Sequence, residues 1–298
     1  MKCLLFGANG QVGYELQRSL APLGEIKTCT REDVDLEDLE SLRLLIQNYK
    51  PEVIINAAAY TAVDAAESNE IKTFAINVNA VDIMSKEIKK LNGLLVHYSS
   101  DYVFDGNKDS PYTEEDQTNP LSVYGKTKLK AEEKIIESNC QHFIFRTSWV
   151  YGFHGNNFLK TILRLASEKD ELTVVSDQYG TPTSAKLIAD ITYACINLAQ
   201  NSLKNTSGIY NLTPLGETNW HGFANFIVSE AINNGLQLKL KQENILPIKS
   251  ENYPQAASRP KNSILDSEKI CKTFNLSMPE WEFDVKKLIK QLHEYEKN

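Results

Sequence analysis

The sequence predicts an α/β fold: a doubly wound parallel sheet with a smaller C-terminal lobe. Three features of the 298-residue chain lead there. Short apolar runs alternate with amphipathic stretches of helical period through the first half, and that alternation builds crossover units on a parallel sheet. A glycine-rich turn joins the first apolar run to the first amphipathic stretch. After Trp149 the rhythm loosens into shorter strands and loop-rich sequence, as a second, smaller unit would.

Cys3 to Phe6 is a β-rich run that stops at Gly7, and Gln11 to Leu20 carries apolar residues near helical spacing. Glu25 to Cys29 is a weaker strand. Asp38 to Tyr49 is amphipathic, with Leu39, Leu42, Leu45 and Ile46 on one helical face. Val53 to Ile55, just after Pro51, is a third strand, and Glu70 to Leu91 reads as one long helix. Leu94 to Tyr98 is the fourth strand. Pro120 and Ser122 are start signals for a helix over Val123 to Ser138, and His142 to Phe145 is the fifth strand. Beyond Trp149 the pattern gives a helix near Asn157 to Ser167, a strand near Leu172 to Val175 and a helix near Ala185 to Ala199. A short strand, Gly208 to Leu212, precedes helices near Trp220 to Asn233 and Asp284 to Tyr295. Between those last two, Pro247, Pro254 and Pro260 mark a loop-rich region.

Composition sets limits on function. Hydrophobic residues make up 42% and charged residues 24%, ordinary for a globular protein. A net charge of −7 argues against a broad nucleic-acid surface or an anionic membrane as partner, while leaving local anion sites open. The cysteines at 3, 29, 140, 195 and 271 are odd in number and widely spaced, without C-x-x-C. Buried thiols in a reducing cytosol are expected rather than disulfides or a zinc site. No charged segment leads into an apolar one at the N-terminus, and no run approaches a membrane span, so a cytoplasmic location is expected.

G-A-N-G-Q-V-G, Gly7 to Gly13, follows the first strand and opens the first helix. Glycines there let the backbone turn tightly and approach a pyrophosphate, which free helix N–H groups and the helix dipole attract. A turn that merely needs glycine is the plain alternative, but the strand–turn–helix setting favours a Rossmann-type dinucleotide site formed by Gly7, Asn9, Gly10, Gln11, Val12 and Gly13. Residues 1–149 are then the dinucleotide-binding domain, with 184–213 returning to it, while 150–183 and 214–298 form a substrate-binding lobe. At the end of the second strand, Arg31 suits a 2′-phosphate and favours NADPH. Nearby Glu32 and Asp33 leave NADH open.

Val53 to Asp64 runs from a buried strand into small residues, which leave room for a ligand at the carboxyl edge of a parallel sheet. Ser99 or Ser100 ends the fourth strand at that same edge. His97, inside the strand, reads as packed. Tyr124 and Lys128 open the following helix and, four residues apart, share a face. A lysine ammonium lowers a neighbouring phenol's pKa, and a phenol with a serine hydroxyl can bind one carbonyl oxygen and protonate it as hydride arrives. A lone Tyr-x-x-x-Lys is expected roughly once by chance in a chain of this composition. Its place after the glycine loop and the Ser100 strand gives it meaning.

Taken together these segments resemble the dTDP-4-dehydrorhamnose reductase (RmlD-like) family of the extended short-chain dehydrogenases/reductases over nearly the whole chain. The carriers are the glycine loop, N-A-A-A-Y-T-A-V-D-x-A-E at 56–67, S-S-D-Y-V-F-D-G at 99–106 and P-L-S-V-Y-G-K-T-K at 120–128. R-T-S-W-V-Y-G at 146–152, N-N-F at 156–158, D-Q-x-G-x-P-T at 177–183 and R-P-x-N-S at 259–263 continue it. The resemblance implies Tyr124 as proton donor, Lys128 as its tuner and ribose anchor, and Ser100 as carbonyl partner. It implies Asp35 and Leu36 at the adenine and Ala57, Ala58, Ala59 and Tyr60 along the cofactor. Thr61, Tyr102, Trp149 and Asn157 would meet the nucleotide-sugar substrate, and Arg259 its diphosphate. Some relatives hold magnesium through glutamates at a dimer interface. Glu15 matches one of these, but Lys186 stands where a second glutamate is expected, so Mg2+ is not carried over, and a homodimer stays open.

The implied reaction is NADPH-dependent reduction of the C4 keto group of dTDP-4-dehydro-L-rhamnose. Dehydratases of the superfamily follow the strand-4 hydroxyl with Asp-Glu, whereas this chain has Asp101-Tyr102, which lacks that base. Another nucleotide-keto-sugar reductase or epimerase is the nearer alternative. A non-catalytic NADP-binding subunit, like the regulatory partner of methionine adenosyltransferase, is the further one.

Overall fold

The structure is a computed structural model that describes residues 1–201 and 206–296. The first half runs β1 (Lys2–Phe6), α1 (Gln11–Leu20), β2 (Glu25–Cys29), α2 (Leu39–Tyr49) and β3 (Val53–Asn56), then α3 (Val63–Ala66), α4 (Glu70–Phe74), α5 (Ala80–Lys90), β4 (Leu94–Ser100), α6 (Val123–Ser138) and β5 (Gln141–Thr147). The second half starts with β6 (Val150–Tyr151), α7 (Phe158–Glu168), β7 (Leu172–Val175), β8 (Tyr179–Gly180) and β9 (Thr183–Ser184). It continues with α8 (Ala185–Asn201), β10 (Gly208–Asn211), β11 (Thr218–Asn219), α9 (Trp220–Asn233), β12 (Ile245–Ile248), α10 (Glu268–Phe274) and α11 (Trp281–Glu296).

Among the described residues, six strands form one parallel sheet in the order β2-β1-β3-β4-β5-β10. The inner strands β1 and β3 read as continuous apolar runs because both faces of the sheet are covered there. Cys3, Leu5, Val53, Ile55 and Val96 point to one core, closed by α1 and α8. Their neighbours Leu4, Phe6, Ile54 and Leu95 point to the other, closed by α2, α5 and α6. The chain winds outward from β1 to β2, then back past β1 to β3, and at such a reversal the carboxyl ends of the strands leave a crevice.

A third core, with Leu159, Ile162, Phe223, Ile227, Val285 and Ile289, belongs to α7, α9 and α11. The Pro-rich stretch contains β12, which pairs in parallel with β7 and carries Pro247. A two-stranded ribbon leaves each strand one free edge, where a missing N–H is tolerated. The long helix expected over Glu70 to Leu91 is interrupted: Ala75–Asn79 form a π-turn between α4 and α5.

The cysteines fall into separate layers. Cys3 and Cys195 lie in the first core, and Cys29 and Cys140 in the second; Cys271, on α10, is half-buried. All five are free thiols, and burial pushes those of Cys3 and Cys29 up to about 11. Among the described residues no helix is long and apolar enough to cross a membrane.

Candidate active site

A cavity of about 830 Å³ opens at the carboxyl edge of the sheet, where the strand order reverses. The glycine loop forms its floor. Gly7 adopts φ 76°, and a Cβ there would lie 2.7 Å from Ala58 N; a Cβ on Gly13 would come within 2.0 Å of Gly7 O. Both glycines therefore hold the loop tight against β3 and α1. Gly13 supports the loop from behind, and Gly7, Asn9, Gly10, Gln11 and Val12 line the cavity. Gly10 stands at the N-cap of α1 with no side chain to satisfy the first-turn N–H groups, and that turn carries no acid. Such a helix end accepts a phosphate anion, so these residues fit a dinucleotide.

At one end of the cavity lie Arg31, Asp35 and Leu36, together with Lys72, which sequence reasoning missed. Lys72 pairs with Glu37 at 2.7 Å, and Arg31 reaches the same carboxylate at 3.8 Å. Two cations thus share one acid at an exposed rim. Asp35 uses one oxygen to accept Glu37 N–H at 3.0 Å, holding the turn after β2.

At the other end, β4 delivers Ser100 and α6 delivers Tyr124 and Lys128, all on the cavity wall. Ser122 caps α6 by accepting Gly125 N–H at 3.1 Å, and Glu67 accepts Val123 N–H at 2.9 Å. These bonds fix the helix start and the aim of its first turns. The Ser100 hydroxyl donates to Asp101 Oδ1 at 2.7 Å and accepts Tyr102 N–H at 3.2 Å. The rings of Tyr102 and Tyr124 meet edge to face, centroids 5.7 Å apart.

Burial first, then the Asp101 charge, raises the Tyr124 phenol above its ordinary value, and the neighbouring Ser100 hydroxyl opposes them. This differs from the expectation of a phenol lowered by lysine. The Lys128 amine is bonded to His97 rather than to Tyr124, and burial brings it down to about 8. Asp101, buried, is lifted to about 6.

The loop after β3 places Ala57, Ala58, Ala59, Tyr60 and Thr61 along the cavity between these two ends. Asn77 holds it. Its Oδ1 accepts Tyr60 N–H at 2.8 Å, and its Nδ2 donates to Tyr60 O at 3.2 Å and to Thr127 Oγ1 at 3.1 Å. The π-turn is what aims Asn77 at the loop, since the widened turn carries one residue more than the helical pattern. Sequence reasoning passed over Asn77, although a polar residue within the apolar stretch A-I-N-V-N was its signal.

Trp149 forms the far wall, stacked on Trp220 with centroids 3.6 Å apart. Its φ of 47° is left-handed, a costly conformation for a bulky residue and one that recurs at functional sites. Trp220 lies outside every motif used above.

Two expected substrate residues lie elsewhere. Asn157 is off the cavity wall: it caps α7 by accepting Lys160 N–H at 3.0 Å, and its Nδ2 donates to Gln11 Oε1 at 3.0 Å and Gly152 O at 2.8 Å. Its polar atoms are spent joining the small lobe to the glycine loop. Arg259 is off the cavity wall, paired with Asp64 at 2.7 Å and bonded to Gln255. The same Asp64 accepts Ala256 and Ala257 N–H. Lys186, standing in for the expected glutamate, is bonded to Asp190, which also takes Arg18 at 3.0 Å.

Known proteins are similar to this chain in sequence and fold. The dTDP-4-dehydrorhamnose reductase of Burkholderia thailandensis is 44% identical over 297 residues, covering 98% of this chain and 99% of that one. The crystal structure of a Clostridium acetobutylicum dTDP-4-dehydrorhamnose reductase superimposes with a TM-score of 0.90 at 34% identity, over 98% of this chain and 100% of that one. The Bacillus anthracis dTDP-4-dehydrorhamnose reductase, solved in complex with NADP, gives 0.88 at 32% identity, over 97% and 99%. Residues 1–294 match the family described as the RmlD substrate binding domain, and the chain belongs to that family.

Proposed function

We infer that this protein is an oxidoreductase that reduces the C4 keto group of dTDP-4-dehydro-L-rhamnose to the alcohol of dTDP-L-rhamnose, using NADPH. One observation carries the reading: Tyr124, Ser100 and Lys128 share one cavity wall with the glycine loop, and Tyr124 is held in its protonated form. A proton donor must keep its proton until the substrate takes it. The nicotinamide, when bound, supplies the hydride that goes to the carbonyl carbon. Tyr124 gives its hydroxyl proton to the carbonyl oxygen, while Ser100, turning its hydroxyl away from Asp101, donates a hydrogen bond to that same oxygen. Lys128, protonated, stabilises the phenolate that Tyr124 leaves behind. The Trp149–Trp220 stack offers a flat apolar wall for the sugar ring. The lobe of residues 150–183 and 214–298 supplies that wall's supports and is assigned to substrate binding.

Arg31 and Lys72 at the cavity rim favour a 2′-phosphate, hence NADPH over NADH. Asp35 supports NADH as the second reading, because one of its oxygens is left to accept from a ribose hydroxyl. The test is NADPH oxidation dependent on dTDP-4-dehydrorhamnose, with Tyr124→Phe beside the wild type. Turnover should fall by about a hundredfold or more, with NADPH affinity changed by less than about threefold. Activity surviving within about tenfold of wild type removes Tyr124 as the donor. A folded, NADPH-bound wild type with no turnover on any keto-sugar would instead support the regulatory-subunit reading.

A further inference from the structure

Lys128 is 2% exposed, and His97 and Asn56 are each 1% exposed. The Lys128 amine lies 3.3 Å from His97 Nε2, and Asn56 Nδ2 lies 3.2 Å from His97 Nδ1. Asn56 and His97 are register partners on β3 and β4, so the sheet itself sets the amide beside the imidazole, and α6 brings the amine. Ala58 N–H closes the far end by donating to Asn56 Oδ1 at 3.2 Å. We propose that His97, oriented by Asn56, is a positioning residue for Lys128: it fixes the amine in the cavity wall, and its tautomer changes in step with the charge on Lys128. The proposal rests on the reductase reading above.

Donors and acceptors must match along this buried row. Burial first and the Lys128 charge second hold His97 well below the ordinary histidine range, so the ring stays neutral, with one N–H and one lone pair. With Asn56 Oδ1 engaged by Ala58, the amide Nδ2 donates to Nδ1. The ring hydrogen is then on Nε2 and faces Lys128, which can accept it only as a neutral amine. An ammonium has donors alone. When Lys128 is charged, Nε2 must accept, Nδ1 must carry the hydrogen, and Asn56 must turn its oxygen toward the ring, releasing Ala58 N–H. The two patterns differ by one proton. An ammonium set against the first leaves two buried donors face to face; a neutral amine fits either, and the Ala58 N–H bond to Asn56 then favours the first.

The charged and titratable neighbours come from several elements. On α6, Glu132 is the charge that acts on Lys128; Tyr124, also on α6, and Asp101, after β4, line the same cavity as the amine; and Arg146, on β5, meets Glu132. Arg146 is bonded to Glu132 at 2.6 Å and 3.0 Å, which compensates that carboxylate. His97 is the group in hydrogen-bond contact with the amine. Because burial brings Lys128 to about 8, the switch falls where the protein can be studied.

The deciding experiment is 15N NMR of the histidine rings in the cofactor-free protein from about pH 6.5 to about pH 9.5, with the His97 signals assigned from His97→Gln. The expected result is an exchange of N–H and lone-pair character between Nδ1 and Nε2 without imidazolium forming, and loss of that exchange in Lys128→Met. Ring nitrogens that keep one tautomer throughout, or that titrate to imidazolium, overturn the proposal. Kinetics provide a second arm. His97→Phe should lower kcat by about tenfold with KM for the sugar within about threefold, and should shift the alkaline limb of the pH profile, while His97→Gln recovers most of the loss. A wild-type pH profile in folded His97→Phe also overturns it. If the protein has no reductase activity, the NMR result still decides, so the two readings fail separately.

Discussion

Asp101 accepts the Ser100 hydroxyl at 2.7 Å, and burial lifts its carboxyl to about 6 from an ordinary 3.8. Native protein therefore binds this proton more tightly than unfolded chain does. The resulting stability is fully present below about pH 3.8 and is lost as pH rises through about 6, leaving a buried carboxylate under working conditions. Asp101→Asn removes that charge while keeping the shape. It should stabilise the protein by about 1–3 kcal/mol at pH 8, with the gain vanishing near pH 4. Urea unfolding of both proteins at the two pH values checks this. Equal differences at both would mean that Asp101 is not the buried charge described. Turnover should fall in the same variant, because the amide no longer offers Ser100 the same acceptor. Single side chains were partly legible in the sequence. Ser100 on β4 and the Tyr124–Lys128 pair on α6 come from separate segments and line one cavity. His97 and Asp101 were not legible as partners, because their importance lies in what they touch across the sheet.

The helix from Glu70 to Lys90 shows what periodicity conceals. A 3.6-residue pattern reports which positions face the core, and α5 obeys it, but one extra residue absorbed in a π-turn leaves the pattern on either side intact. The consequence is local: Asn77 reaches the Tyr60 backbone. Asn77→Ala removes two hydrogen bonds to that loop and one to Thr127, all buried or half-buried. The expected cost is about 2–3 kcal/mol of stability and roughly tenfold weaker NADPH binding, with kcat at saturating NADPH within about twofold. Chemical denaturation and fluorescence titration measure the two effects. Unchanged NADPH affinity would show that the loop keeps its shape without Asn77. The elements missed from sequence were the short ones. β12 hides behind Pro247, and α10 has only seven residues before Asn275 ends it in a left-handed cap.

Across the whole molecule, the sheet and the small lobe are joined near the cavity by polar contacts that no motif spelled out. Asn157 bonds Gln11, His154 Nε2 lies 2.9 Å from Asn9 O, and Asp64 gathers Ala256, Ala257 and Arg259. Asp64 is held below the ordinary carboxylate range, chiefly by the Arg259 hydrogen bond. Asp64→Ala should free the C-terminal segment from the sheet domain without unfolding the sheet domain or the small lobe. Amide exchange at Ala256 and Ala257 should then rise by about tenfold or more, while exchange in β1 and β3 stays as in wild type. Uniform acceleration across the chain would mean that Asp64 supports global stability rather than this one junction. The architecture was legible because hydrophobic pattern and chain order set it. The joints were not, since they depend on side chains that are far apart in sequence.

The burial of the cysteines has a practical consequence for watching this protein move. Four of the five native thiols are packed inside the two sheet cores, and burial suppresses the ionisation of the fifth, Cys271. Replacing Cys271 alone thus leaves a chain whose remaining sulfurs are shielded from alkylating dyes while it stays folded. One new cysteine on each lobe can then carry a donor and an acceptor fluorophore, and the separation between sheet domain and small lobe becomes a distance read in real time during turnover.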